Sequence, residues 1–167
     1  MMKVRKTNKK LSTGAINKAS NPIGRKYSAK EGVDDLLDAL KNRDIKLAIV
    51  SANEKEIIDA CLNNYKINQY FDEIFTCSGL GLNKDNPDFY KNVVKLLNAE
   101  NCINYIFDDS HYAIMAAKKA GLNTIGVYDK YEPQTNEIAD ISNYYLKDFR
   151  EFKDFFLDVI DKEINCE

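Results

Sequence analysis

The chain has 167 residues, of which 44% are hydrophobic and 30% charged, enough for one α/β or α+β domain with its own core and too few for a second full domain. No apolar run approaches the roughly 18–20 residues needed to cross a membrane, and no apolar signal segment opens the chain, which points to the cytoplasm. The net charge of −2 hides an asymmetry: residues 1–30 hold nine Lys/Arg and no acid, while residues 31–167 hold fifteen Lys/Arg against twenty-six acids, a head of +9 and a body of −11.

The sequence therefore divides at about residue 30 into a basic leader, 1–30, and a core domain, 31–167. A basic arm can bind nucleic acid or an anionic surface. Lacking a pattern of interleaved aromatics, this one reads first as a solvated, poorly ordered leader or as a substitute strand. With only two arginines it also departs from an organelle transit peptide. Cys61, Cys77, Cys102 and Cys166 are widely separated and form no C-x-x-C pair, so they read as reduced thiols.

From residue 31 onward, helix and strand signals alternate with short loops, the pattern of a parallel sheet covered by helices. Val33, Leu36, Leu37 and Leu40 recur at helical spacing, and Lys46–Val50 (KLAIV) reads as a buried strand with Ser51 at its end. Glu54–Asn64 reads as a helix with Ile57, Ile58 and Cys61 inward, followed by a short strand, Glu73–Thr76. Glycines 79 and 81 open a loop, and Pro87 suits the first turn of a helix burying Phe89, Val93, Val94 and Leu97. Asn104–Phe107 is a third strand ending in Asp108 and Asp109. An Ala-rich helix, His111–Ala120, stops at Gly121, and Asn123–Val127 is a fourth strand. Beyond Asp129 come a loop, an apolar piece at Tyr144–Leu146, and an amphipathic helix carrying Phe152, Phe155, Phe156, Val159 and Ile160.

Open parallel sheets bind ligands beyond the carboxyl ends of their strands, so the residues there carry the functional information. Ser51-Ala52-Asn53 offers a hydroxyl and backbone N–H groups at a helix start, suited to an anion. Lys84 offers a mobile cation for phosphate charge. Asp108 and Asp109 are adjacent hard oxygen donors suited to Mg²⁺. Taken singly, each has a plainer reading: Ser51 as a helix cap, Lys84 as a solvated lysine, and the two aspartates as caps on the Ala-rich helix. Their order at successive strand ends favours a phosphate site with magnesium.

These segments resemble the haloacid dehalogenase-like (HAD) hydrolases, in the branch of phosphatases and β-phosphoglucomutase-like enzymes. EGVDDLLDALKNRDIKLAIVSAN resembles the second family motif, with Ser51 in the place of the hydroxyl that binds the transferring phosphoryl group. SGLGLNKDNPDFY resembles the third, with Lys84 in the lysine place, Pro87-Asp88 as the final pair, and Asp85 where the family has a proline. YIFDDSHYAIMAAKKAGLNTIGVYD resembles the fourth, with Asp109 on the magnesium ligand and Asp108 on its supporting acid. The resemblance covers about 120 residues. It implies a Rossmann-type, three-layer α/β core with a mostly parallel sheet, Mg²⁺ as cofactor and a phosphorylated small molecule as ligand.

The first motif, an Asp-x-Asp pair whose leading aspartate attacks phosphorus, has no counterpart. The earliest acids are Glu31, Asp34, Asp35 and Asp38, in or just before the first helix. The nearest pseudo-match, VRKTNKKL, places Lys6 and Asn8 in the aspartate positions, so no catalytic residue is assigned. The cap that selects substrate in this family is also missing from the sequence. The resemblance puts the first-motif strand centrally, between Lys46–Val50 and Asn104–Phe107. Because buried strand edges need partners, the gap calls for a leader segment, direct pairing of the two edges, or a strand from a second chain. The leader's most strand-like pieces are Met1–Arg5 and Ala15–Ile16. Three functional readings stay open: an inactive HAD-like remnant, an Mg²⁺-dependent phosphatase or phosphomutase completed by an upstream segment or second chain, and a non-catalytic binding module with a basic arm.

Overall fold

The computed structural model of the chain describes residues 10–13, 32–152 and 162. Six strands form one sheet in the order β3-β2-β1-β4-β5-β6, all parallel. They are β1 (Lys10–Thr13), β2 (Lys46–Ser51), β3 (Glu73–Thr76), β4 (Asn104–Asp108), β5 (Asn123–Val127) and β6 (Tyr144–Leu146). The helices are α1 (Val33–Lys41), α2 (Lys55–Tyr65), α3 (Cys77–Leu80), α4 (Pro87–Leu96), α5 (His111–Lys119) and α6 (Thr135–Ile141), with short 3₁₀ turns at Asn68–Tyr70 and Phe149–Glu151.

The leader fills the gap in the sheet. β1 lies between β2 and β4, with Lys10 opposite Lys46 and Asn104, and Thr13 opposite Ile49 and Phe107. The sequence reading nominated Met1–Arg5 and Ala15–Ile16 for this place, and both lie outside the described residues. The strand that forms is Lys10–Thr13, short and polar at its start. What recruits it is the unpaired backbone of two buried neighbours, not hydrophobicity of its own. This register also corrects the pseudo-match, because Lys6 and Asn8 precede the strand in sequence, whereas a nucleophile must follow it.

Helices cover both faces, which is why β2 reads as a continuous apolar run: every residue from Leu47 to Ser51 is buried. One core layer joins Leu36, Leu37 and Leu40 of α1 and Ile58 and Leu62 of α2 to Leu47, Ile49, Tyr105 and Phe107, and is closed by Phe149 and Phe152. The other joins Phe89, Tyr90 and Val93 of α4 and Ala116 and Ala117 of α5 to Ala48, Val50 and Ile106. At Gly126 an added Cβ would meet Ile138 Cγ2 at 2.5 Å, so the missing side chain lets α6 close onto β5.

Several local expectations are corrected. Ile57 is 43% exposed, and Ile58 with Leu62 forms the inner face of α2 instead. Gly79 lies inside α3 and not in a loop, because the Thr76 hydroxyl accepts its N–H at 3.0 Å and starts a short helical turn. α6 occupies part of what read as loop after Asp129. Pro87 does sit at the start of α4, capped by Asn86, and Gly121 follows the last turn of α5 with φ 87°. Of the C-terminal amphipathic helix, Phe155, Phe156, Val159 and Ile160 lie outside the described residues. Among the described residues no helix is long and apolar enough to cross a membrane.

The central position of β1 makes its backbone donors testable. Leu11→Pro removes a ladder N–H from the middle of a parallel sheet and is expected to cost about 3 kcal/mol or more, a large part of the ~5–15 kcal/mol available to a domain. Urea denaturation should show a much lower midpoint or no cooperative transition. An unchanged melt would mean that β1 pairing does not support the fold.

Candidate functional site

Because the strands are parallel, all their carboxyl ends lie on one edge of the sheet, and each candidate residue ends a strand, follows one or sits in a loop at that edge. Continuing the register of Ile49 and Phe107 by two residues puts Ser51 and Asp109 at the same height, on strands either side of β1. Adjacent strands are about 4.8 Å apart, so the two backbones are about 10 Å apart. The alternation of strand side chains gives Ser51 and Asp109 one face and Asp108 the other.

Ser51 is 2% exposed. Its hydroxyl accepts the Asn53 N–H at 3.1 Å, and an accepting hydroxyl still has its own hydrogen to give. The cap position of α2 belongs to Glu54, with no side-chain cap bond, so capping is not what Ser51 does. Next along the edge, Thr76 and Ser78 hydroxyls lie 3.1 Å apart and Ser78 donates to Glu54 at 2.8 Å, tying α3 to the start of α2.

Lys84 is not the mobile surface cation that its sequence suggested. It is 2% exposed and its Nζ is ion-paired with Asp108 Oδ2. The other Asp108 oxygen accepts the Ser110 N–H at 2.9 Å, which turns the chain from β4 into α5. Asp109 is 7% exposed, with its Oδ1 3.5 Å from the Ser110 hydroxyl. Beside the ion pair a cavity of about 430 Å³ is lined by Ala52, Cys77, Asn83, Lys84, Asp85 and Tyr112. The structure thus brings Ala52 and Lys84 onto one cavity and Asp108 onto Lys84, with Ser51 and Asn53 adjoining Ala52 in the chain and Asp109 adjoining Asp108. Cys77, Asn83 and Tyr112 were not singled out as site residues, since a lone thiol, amide or phenol carries no motif. Burial pushes the Cys77 thiol up from its usual range, so at neutral pH it is not a thiolate nucleophile. The one histidine, His111, has Nε2 3.6 Å from Glu137 of α6.

A charge count decides what the site can hold. Lys84 supplies one positive charge against the carboxylates Asp85, Asp108 and Asp109, so a phosphate dianion alone would meet net repulsion. A hard divalent cation would reverse this, and Mg²⁺ is commonly held by one or two carboxylates together with substrate phosphate and water. Among the described residues no group of three His, Cys, Asp or Glu side chains could hold a metal. The residues therefore fit a cation shared with a bound phosphate and do not build a cage for one alone.

Residues 2–127 match the family described as haloacid dehalogenase-like hydrolase. The chain is 25% identical over 123 residues to validoxylamine A 7'-phosphate phosphatase of Streptomyces hygroscopicus subsp. limoneus, covering 74% of this chain and 56% of that protein. The chain spans about half the length of the curated relatives it matches. Among solved structures, a HAD-superfamily hydrolase from Ehrlichia chaffeensis superposes with a TM-score of 0.68 at 24% identity, covering 84% of this chain and 63% of that one. CbbY from Rhodobacter sphaeroides in complex with phosphate gives 0.66 at 25% identity, covering 74% and 55%.

The buried ion pair makes a prediction independent of activity. Lys84→Met or Asp108→Leu alone leaves a buried charge without its partner and is expected to cost about 3–5 kcal/mol, whereas the double variant should recover most of that loss. A double-mutant cycle by urea melts measures the coupling, and additive losses would show that the pair is not coupled.

Proposed function

We propose that this chain, which belongs to the haloacid dehalogenase-like hydrolase family, binds phosphorylated small molecules in the cytoplasm and does not hydrolyse them through an aspartyl phosphate. The observation that carries this reading is the placement of β1. It fills the central position from which the family's nucleophile is delivered, and the residues that follow Thr13 in sequence are Gly14, Ala15 and Ile16, with no acid anywhere in residues 1–30.

The remaining groups bind and orient. Ser51 and the N–H groups at the start of α2 offer donors to phosphoryl oxygens, and Lys84 has three ammonium hydrogens, so it can keep Asp108 and still donate into the cavity. Asp109, supported by Asp108, would hold Mg²⁺, which would supply positive charge to the phosphoryl oxygens. Positioning of this kind accelerates a reaction only when an attacking group is present. Completion by an upstream segment or a second chain is a weaker reading, because an inserted Asp-x-Asp strand would need the place that β1 occupies.

Titration of the chain with inorganic phosphate by calorimetry is expected to show binding with Mg²⁺ and at least a tenfold loss of affinity in excess EDTA or in Asp109→Asn, in line with a charge-assisted contact of about 1.5–3 kcal/mol. With p-nitrophenyl phosphate and Mg²⁺ no turnover above the buffer rate is expected. Magnesium-dependent turnover that Asp109→Asn abolishes would contradict the proposal.

A further inference from the structure

At the same carboxyl edge a second cavity, of about 360 Å³, shares no lining residue with the one beside Lys84. Its walls are residues 128–131, which follow β5, and 147–149, which follow β6. The Tyr128 N–H donates to Leu146 O at 2.8 Å, which carries the β5–β6 ladder one step past Val127 and holds the two loops side by side. Phe149 is 1% exposed, whereas Tyr128 and Tyr131 are 42% and 66% exposed. Covering such rings is favourable, and the cavity has the size of small-molecule sites, roughly 300–1,000 Å³. The carboxylates around it are already engaged. Asp129 Oδ1 accepts the Tyr131 N–H at 2.7 Å. Asp148 accepts the Arg150 guanidinium at 2.9 and 2.6 Å and its backbone N–H at 2.8 Å, and Glu151 accepts the Lys147 N–H at 3.2 Å. The ammonium groups are not so engaged: among the described residues neither Lys130 nor Lys147 is ion-paired with a carboxylate. Lys130 Nζ instead lies 4.8 Å from the centroid of the Tyr131 ring, a weak contact at so exposed a place.

We infer that this cavity is a binding site for a mononucleotide, whose base stacks on the Tyr131 ring in the place now taken by the Lys130 ammonium and whose phosphate is neutralised by Lys130 and Lys147. The two halves of the site select the ligand class together. A simple anion would leave the tyrosine rings uncovered, and an uncharged ring would leave both ammonium groups without a partner. A base suits the rings because every base offers a π face, whichever edge it carries. A phosphate suits the lysines because each acts as a flexible point charge with three donors. Lys130 gives up only a weak contact when the base arrives, and its long stem keeps the charge within reach of the phosphate. No divalent cation enters this charge balance, so the site stands apart from the phosphate reading of the Lys84 cavity.

The test is a calorimetric titration of the full chain with AMP in excess EDTA, where the Lys84 cavity is expected to bind no phosphate. AMP is expected to bind at least about tenfold more tightly than either adenosine or inorganic phosphate, and Tyr131→Ala to weaken it about tenfold. Tyr131 is exposed enough for that variant to keep its melting temperature. Lys147→Gln should weaken AMP and leave adenosine binding as it was. Amide resonances of Tyr131 and Lys147 should shift on AMP addition, while those of Ala52 and Lys84 stay in place. The inference is overturned by a chain that binds no AMP, by adenosine or inorganic phosphate binding as well as AMP, or by an affinity that Tyr131→Ala leaves unchanged. Shifts confined to Ala52 and Lys84 would overturn it too, since they would put the nucleotide in the other cavity.

Discussion

Two buried parallel strands, β2 and β4, cannot stand side by side with open edges, because each unpaired N–H or C=O along them would cost about 1–3 kcal/mol in a domain that has ~5–15 kcal/mol in total. That constraint organises the rest of the molecule. It draws Lys10–Thr13 out of a basic leader and into the centre of the sheet. It sets the height at which Ser51 and Asp109 emerge on either side, and it leaves the two core layers separated by a complete six-stranded sheet. The frame in which Ser51, Lys84, Asp108 and Asp109 gather at one sheet edge is set for backbone reasons, and the first acid in the sequence after β1 is Glu31.

The second organising feature is the Lys84–Asp108 pair. A lysine in a loop between a short helical turn and α4 would ordinarily extend into water. Here the Asn86 cap and Pro87 fix the entry to α4, and the packing of Leu80 and Leu82 against the core layer beneath holds the loop down. The ammonium then reaches the carboxyl end of β4. Pairing neutralises it, which leaves the net charge of Lys84, Asp85, Asp108 and Asp109 negative; on the proposed reading, anion binding there would depend on a divalent cation.

Much of this was legible in the sequence. The strands Lys46–Val50, Glu73–Thr76 and Asn123–Val127 and the helix from Val33 carry clear sequence signals, and three motifs at successive strand ends point to Ser51, Lys84, Asp108 and Asp109. What was not legible depended on tertiary context. The segment KLST has no strand signature of its own and pairs because its neighbours need it. Ile57 and Ile58 are adjacent, and which one faces inward is settled by how α2 leans on the sheet. The burial of Lys84 was hidden because a lysine shows no sign of its partner, which lies 24 residues away in sequence.

We propose that the chain retains the binding frame of its family without the chemistry that forms an aspartyl phosphate. Acid quenching after incubation with ³²P-labelled acetyl phosphate and Mg²⁺ tests it most directly, since an acyl phosphate survives acid and is released by hydroxylamine. The account predicts no hydroxylamine-sensitive label on the protein. Labelling that approaches one phosphoryl group per chain would contradict it, and would mean that a carboxylate elsewhere in the sequence has taken the nucleophile's place.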